Sequence, residues 1–166
     1  MGRTADQSCP GNAAIGMANN GQTIRLEFSS AFEMLDLVQI VSDAFGRLAG
    51  LDEEHLHWIS VAIRESVINA IKHGNRSDAR KSVFVEFASH PTELVVSVRD
   101  QGAGFDPSVL LNPLAPENLL KSSGRGIFFM RNFMDDVSLR RLPEGGMEVR
   151  MVKKLPERDD ASIVHR

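Results

Sequence analysis

Glu65, Asn69 and His73 recur every four residues in the segment Arg64-Glu-Ser-Val-Ile-Asn-Ala-Ile-Lys-His-Gly-Asn75, whose other positions are mostly Val, Ile and Ala. Polar groups are thus set into an apolar helix, one helical turn apart and on one face. Asn is a poor helix former, and a buried carboxylate is costly unless something pairs with it. The pattern therefore points to a ligand that brings its own charge, and a metal-bound phosphate answers that description. Asn69 can coordinate Mg²⁺ through its amide oxygen while Glu65 reaches toward a nucleophile. Mg²⁺ takes few protein ligands when phosphates supply the rest, so one Asn suffices if a triphosphate lies across the same face. Standing alone, a Glu and an Asn four apart are more often a solvated helix face, so the reading depends on what lies downstream.

Two Gly-rich segments lie there: Asp100-Gln-Gly-Ala-Gly-Phe-Asp-Pro107 and Ser122-Ser-Gly-Arg-Gly-Ile-Phe-Phe-Met130. Asp100 follows a Val-rich strand, and Gly102 and Gly104 let backbone approach a planar group while the carboxylate accepts a hydrogen bond from an exocyclic amine. Adenine has that amine; guanine presents a carbonyl there. Gly124-Arg125-Gly126 is read as opening a helix, whose free N–H groups and positive dipole end suit phosphates. Lys121 or Arg125 would reach a terminal phosphate, and His73, just before Gly74, is read as a helix cap or a wall of the phosphate site. The plainer readings are a turn after a strand and solvated basic residues.

The chain has 166 residues, 42% of them hydrophobic, which suits one domain. A formal charge of −3 argues against a direct nucleic-acid partner. Cys9 is the single cysteine, so neither a disulfide framework nor a Cys-rich zinc site can form. No signal-like or membrane-length apolar run is present, and a cytoplasmic, membrane-free protein is expected. No Gly-x-x-x-x-Gly-Lys-Ser/Thr, His-Arg-Asp or His-Glu-x-x-His segment occurs, which removes the common P-loop, eukaryotic-kinase and zinc-hydrolase readings.

Several elements must position these groups. Residues 1–21 read as a disordered leader, 22–154 as the domain and 155–166 as a flexible tail. Thr23–Phe28 alternates as an edge strand. Ser30 and Glu33 form a capping-box signature for a helix carrying Phe32, Leu35, Val38, Val41, Phe45 and Leu48 to Gly50. Asp52 opens a second helix, stapled by Leu51 and Leu56 and ending at His73-Gly74, with Trp58 in the core. Strands over Lys81–Ser89 and Glu93–Arg99 form a hairpin. Asp106–Ser123 reads as a long mobile loop of the kind that becomes a lid. A helix over Gly126–Phe133 and a hairpin of Val137–Leu142 with Met147–Lys153 complete the order. Five strands and three helices predict a two-layer α+β sandwich.

In this order the three segments resemble the N, G1 and G2 boxes of the ATP-binding superfamily that joins gyrase, a heat-shock chaperone family, sensor histidine kinases and a mismatch-repair ATPase. Within it the chain is most similar to the anti-sigma-factor serine kinases of bacterial partner-switching systems, in Glu65–Asn75 and Gly126–Val137, over roughly residues 22–154. The resemblance implies a Bergerat fold, a mixed, mostly antiparallel five-stranded sheet covered on one face by three helices. It implies ATP and Mg²⁺, with Glu65 as general base, Asn69 as metal ligand, Asp100 as adenine reader, and Gly102, Gly104, Gly124 and Gly126 as hinge and phosphate contacts. It further implies phosphorylation of a serine on a small STAS-domain antagonist, a sigma factor as another partner, and a homodimer paired through the first strand and helix. The chain departs from the family's pattern at Gly146-Met147, where Thr often follows the glycine, and at Lys121-Ser122, where Arg is frequent. A sensor histidine kinase would need a phosphoacceptor histidine upstream, and Ser30–Leu48 holds none. The alternative is a nucleotide-binding module that sequesters a sigma factor or another regulator with little or no catalysis.

Overall fold

The computed structural model describes residues 21–104 and 122–156. The expected leader up to residue 20, the expected loop up to Lys121 and the tail from residue 157 lie outside the described residues. In chain order the elements are β1 (Gln22–Ser29), α1 (Met34–Ala49), α2 (Glu53–Asn69) with a π-helical turn (Ala70–Gly74), β2 (Ser82–Ser89), β3 (Glu93–Arg99), α3 (Ser122–Phe133), β4 (Asp136–Arg141) and β5 (Met147–Lys154). The strands form one sheet in the order β1-β2-β3-β5-β4. Every pairing is antiparallel, so the sheet is not mixed.

Strand alternation sorts the two faces. The register sets Phe28 opposite Val83, Val85 opposite Val98, and Val96 opposite both Phe87 and Met151. These side chains are buried in one cluster with Val38 and Phe45 of α1, Ile59, Ile63 and Val67 of α2, and Met130 of α3. Burying each such side chain contributes on the order of 2 kcal/mol, so helix placement follows from this one face. The other face carries the ion pairs Arg25–Glu86 and Arg140–Glu148, with the Arg99 guanidinium 5.5 Å from the centre of the Phe84 ring.

The helix starts divide the sequence expectations. Asp52 caps α2 by accepting from the His55 amide at 2.8 Å, and Leu56 fills the space beside Gly46 of α1. Ser30 does not cap α1. Its hydroxyl donates to the Lys81 carbonyl at 2.9 Å and accepts from Asn75, and α1 starts at Met34 with Glu33 making no side-chain cap. Phe32 and Leu48 are exposed rather than core-facing, as are Leu37 and Ile40. Trp58 also leaves the expected core: it is 36% exposed and stacks on Phe133 of α3, ring centres 4.3 Å apart and planes at 6°. Ser122 and Ser123, expected in the loop, are helical.

Candidate active site

The end of α2 changes pitch where the polar residues sit. The Asn75 amide bonds the Ala70 carbonyl at 2.8 Å, five residues back, which widens the last turn to a π turn. Such turns are rare and often mark functional sites. Glu65 and Asn69, both half-buried, precede it on one face of α2. Their polar ends converge on α3: a Cβ on Gly126 would stand 3.0 Å from Asn69 Nδ2 and 3.3 Å from Glu65 Oε2. Gly126 therefore gives these two groups the room that a side chain on α3 would take. Because α3 is helical from Ser122, Gly126 lies inside the helix rather than at its opening.

Asp100, 7% exposed, leaves β3 directly into the π turn. A Cβ on Gly74 would overlap its carboxylate, and one on Gly102 would overlap the Gly74 carbonyl. One carboxylate oxygen, Oδ1, accepts from the amides of Gly102 at 2.8 Å and Met147 at 3.2 Å, and the Asp100 amide donates to the Met147 carbonyl at 3.1 Å. Met147 thus serves Asp100 through its backbone at the position where the resembling family often has Thr. Gly146, with φ +90°, makes this turn because it carries no side chain; a Cβ there would overlap the Asp100 carbonyl. Burial pushes the Asp100 carboxyl above its ordinary value; the two amides and the charge of Lys81 oppose this without cancelling it.

Behind these groups lies a residue to which the sequence reading gave no role. Asn75 is fully buried. Its Oδ1 accepts from the Gln101 amide at 2.7 Å, and its Nδ2 donates to Ser30 Oγ at 2.8 Å and the Ser82 carbonyl at 2.9 Å. Gln101 in turn accepts from the Ser82 amide at 2.6 Å through Oε1. The available signal was an Asn just after the glycine that closes a helix, where a polar side chain serves backbone as readily as ligand.

Glu65, Asn69 and Gly126 are brought together, and Asp100, Gly102 and Gly74 form the adjoining cluster. Gly104, with φ +70°, lies close to the β4–β5 hairpin: a Cβ there would stand 3.0 Å from the Gly146 carbonyl and 3.1 Å from Arg141 Cγ. His73 is exposed on the π turn, next to Gly74. Gly124 and Arg125 lie in the first turn of α3, and Lys121 is outside the described residues. Beside the Asp100 junction, Phe84, Arg99, Asp100 itself, Gln101, Leu142, Glu144 and Gly145 line an open cleft of about 370 Å³. Glu65, Asn69 and Gly126 do not line it, so Asp100 stands between this cleft and the groups on α2 and α3.

The donor set fits a nucleotide with Mg²⁺ better than a metal held by protein alone. Among the described residues no cluster of three His, Cys, Asp or Glu side chains stands ready for a metal. A side-chain amide beside a carboxylate, meeting at a glycine, suits an ion that keeps phosphate and water ligands. The fold and these groups define an ATPase-type domain. A sequence model of the histidine kinase-like ATPase domain matches residues 28–153, and the chain belongs to that family. It is 33% identical over 138 residues to the anti-sigma F factor of Bacillus subtilis, covering 80% of this chain and 92% of the relative. It is also 25% identical over 148 residues to the serine-protein kinase RsbW of Listeria monocytogenes, covering 86% and 93%. No helix among the described residues is long and apolar enough to cross a membrane.

Proposed function

We propose that this chain is an ATP-dependent serine/threonine protein kinase that acts as an anti-sigma factor and phosphorylates a serine of a small STAS-domain antagonist. The observation that carries this reading is the meeting of Glu65 and Asn69 over Gly126, next to a buried Asp100 clasped by Gly74 and Gly102. The relatives named anti-sigma F factor and serine-protein kinase support it. Asp100 reads the adenine amine, with Gly102 and Gly104 bringing backbone close to the base. Asn69 would hold Mg²⁺ through its amide oxygen, and Gly124, Arg125 and Lys121 are the phosphate contacts that the family resemblance implies. Bound Mg²⁺ neutralises phosphate charge. Glu65 accepts the proton of the incoming serine hydroxyl, and its half-buried position keeps it reachable by a protein substrate. The domain spans 22–154, works in the cytoplasm and pairs as a homodimer through β1 and α1, where Ile24, Leu37 and Ile40 are exposed.

The test is incubation with Mg²⁺, γ-labelled ATP and candidate antagonist proteins. Label on an antagonist serine is the expected result. Nucleotide binding without any label transfer would instead favour a module that sequesters a sigma factor by binding alone.

A further inference from the structure

We propose that Asn75 is a positioning residue for base recognition, aiming Asp100 by holding the following Gln101 amide to the end of α2. This rests on the nucleotide reading above. The three side-chain bonds of Asn75 reach three separate segments: the β1–α1 turn at Ser30, the start of β2 at Ser82, and the residue after Asp100. Its own amide closes the π turn on Ala70, and its carbonyl accepts from Asp78 at 3.1 Å. The amide orientation is dictated by its partners, since Oδ1 meets an N–H and Nδ2 meets a carbonyl oxygen; the flipped rotamer would set like against like. Every polar atom of the side chain is therefore committed, and the residue is 0% exposed, so it acts through its neighbours and touches no ligand.

The consequence lies at Asp100. Met147 holds that residue from the β5 side, by two backbone bonds. On the other side, Asn75 and Ser82 hold Gln101 by its amide and its side chain. Asp100 is thus fixed from both flanks, and one flank belongs to the same helix end that carries Glu65 and Asn69. Removing Asn75 frees that flank and leaves the part-buried Gln101 amide without its acceptor. The carboxylate then loses direction relative to the base, whereas contacts to the phosphates, which Asp100 does not make, are spared.

The test compares ADP with IDP, which carries a carbonyl in place of the exocyclic amine, by titration calorimetry on the full chain with Mg²⁺. The wild-type chain is expected to prefer ADP. Asn75→Ala should lose roughly tenfold of that preference through weaker ADP binding, with IDP affinity little changed, as expected for one charge-assisted hydrogen bond. Asn75→Asp, which keeps an acceptor for the Gln101 amide, should retain more of it. Ser30→Ala, a milder change that removes one anchor of Nδ2, should lose roughly threefold and serves if Asn75→Ala does not fold. Equal losses for both nucleotides, or unchanged preference in folded variants, would overturn the inference. A wild-type chain with no preference would withdraw Asp100 as base reader, and this inference with it.

Discussion

Gly74 closes the π turn directly against the Asp100 carboxylate, leaving no space between them for a methyl group. The end of the helix bearing Glu65 and Asn69 and the carboxylate at the exit of β3 are therefore one packed unit. Gly74→Ala must displace one of the two. We expect at least a tenfold loss of ADP affinity, and a stability loss of about 1–3 kcal/mol as overpacking requires. Calorimetric titration and urea unfolding measure these; ADP affinity equal to wild type would show that the contact has slack.

Asp100→Asn separates the carboxylate's charge from its shape. Burial raises the folded-state pKa, so the folded chain holds this proton to higher pH than the unfolded chain does. Between the ordinary carboxylate value and the raised one the folded state binds more protons, and stability falls as pH rises through that window. At pH 7 the wild-type chain carries this cost and the Asn variant does not. The variant should melt at or above the wild-type temperature at pH 7, with the gap closing toward pH 4, while losing ADP affinity. A melting point several degrees below wild type at pH 7 would mean that the charge stabilises the fold.

How much of this was legible in the sequence follows from which forces were local. Period-two alternation in Val83, Val85 and Phe87 and in Leu94, Val96 and Val98 marked both central strands, because one face of each is buried. Asp52 was legible because its cap bonds an amide three residues on. Ser30 carried the same local signature and failed, since Asn75, 45 residues away, takes its hydroxyl. Trp58 reads as core by composition, but it lies on the α2–α3 seam, where Phe133 stacks on its ring, His57 meets it edge-on and about a third of the residue stays exposed. The spacing of Glu65 and Asn69 gave their shared face. That their polar ends meet Gly126, and that α2 ends in a π turn held by Asn75, are long-range facts without a local pattern.

The Trp58–Phe133 stack permits a measurement of that seam. A buried Trp truncated to Ala typically costs about 3–5 kcal/mol, but here the residue is 36% exposed and its stacked partner is the single ring of Phe133. Trp58→Ala should cost about 1–2 kcal/mol in urea unfolding, within the range for losing one aromatic pair and part of its area. A cost of 4 kcal/mol or more would place Trp58 energetically in the core.

Glu65 and Gly126 face each other, and substituting each should break a different step. Glu65→Gln keeps the side chain's size and removes its ability to take a proton, so ADP affinity should stay within about twofold while phosphoryl transfer to an antagonist falls by roughly 10²–10⁴. Gly126→Ala keeps the carboxylate but sets a methyl 3.0 Å from Asn69 Nδ2 and 3.3 Å from Glu65 Oε2, closer than most packed carbons. Both side chains are half-buried ends of longer stems and can give by a few tenths of an ångström, so the fold should survive. The displaced Asn69 should then raise the Mg²⁺ concentration needed for half-maximal transfer, a change that Glu65→Gln should not produce. Single-turnover transfer measured across a Mg²⁺ series distinguishes the two. A Glu65→Gln chain transferring phosphate at the wild-type rate would remove Glu65 as the base.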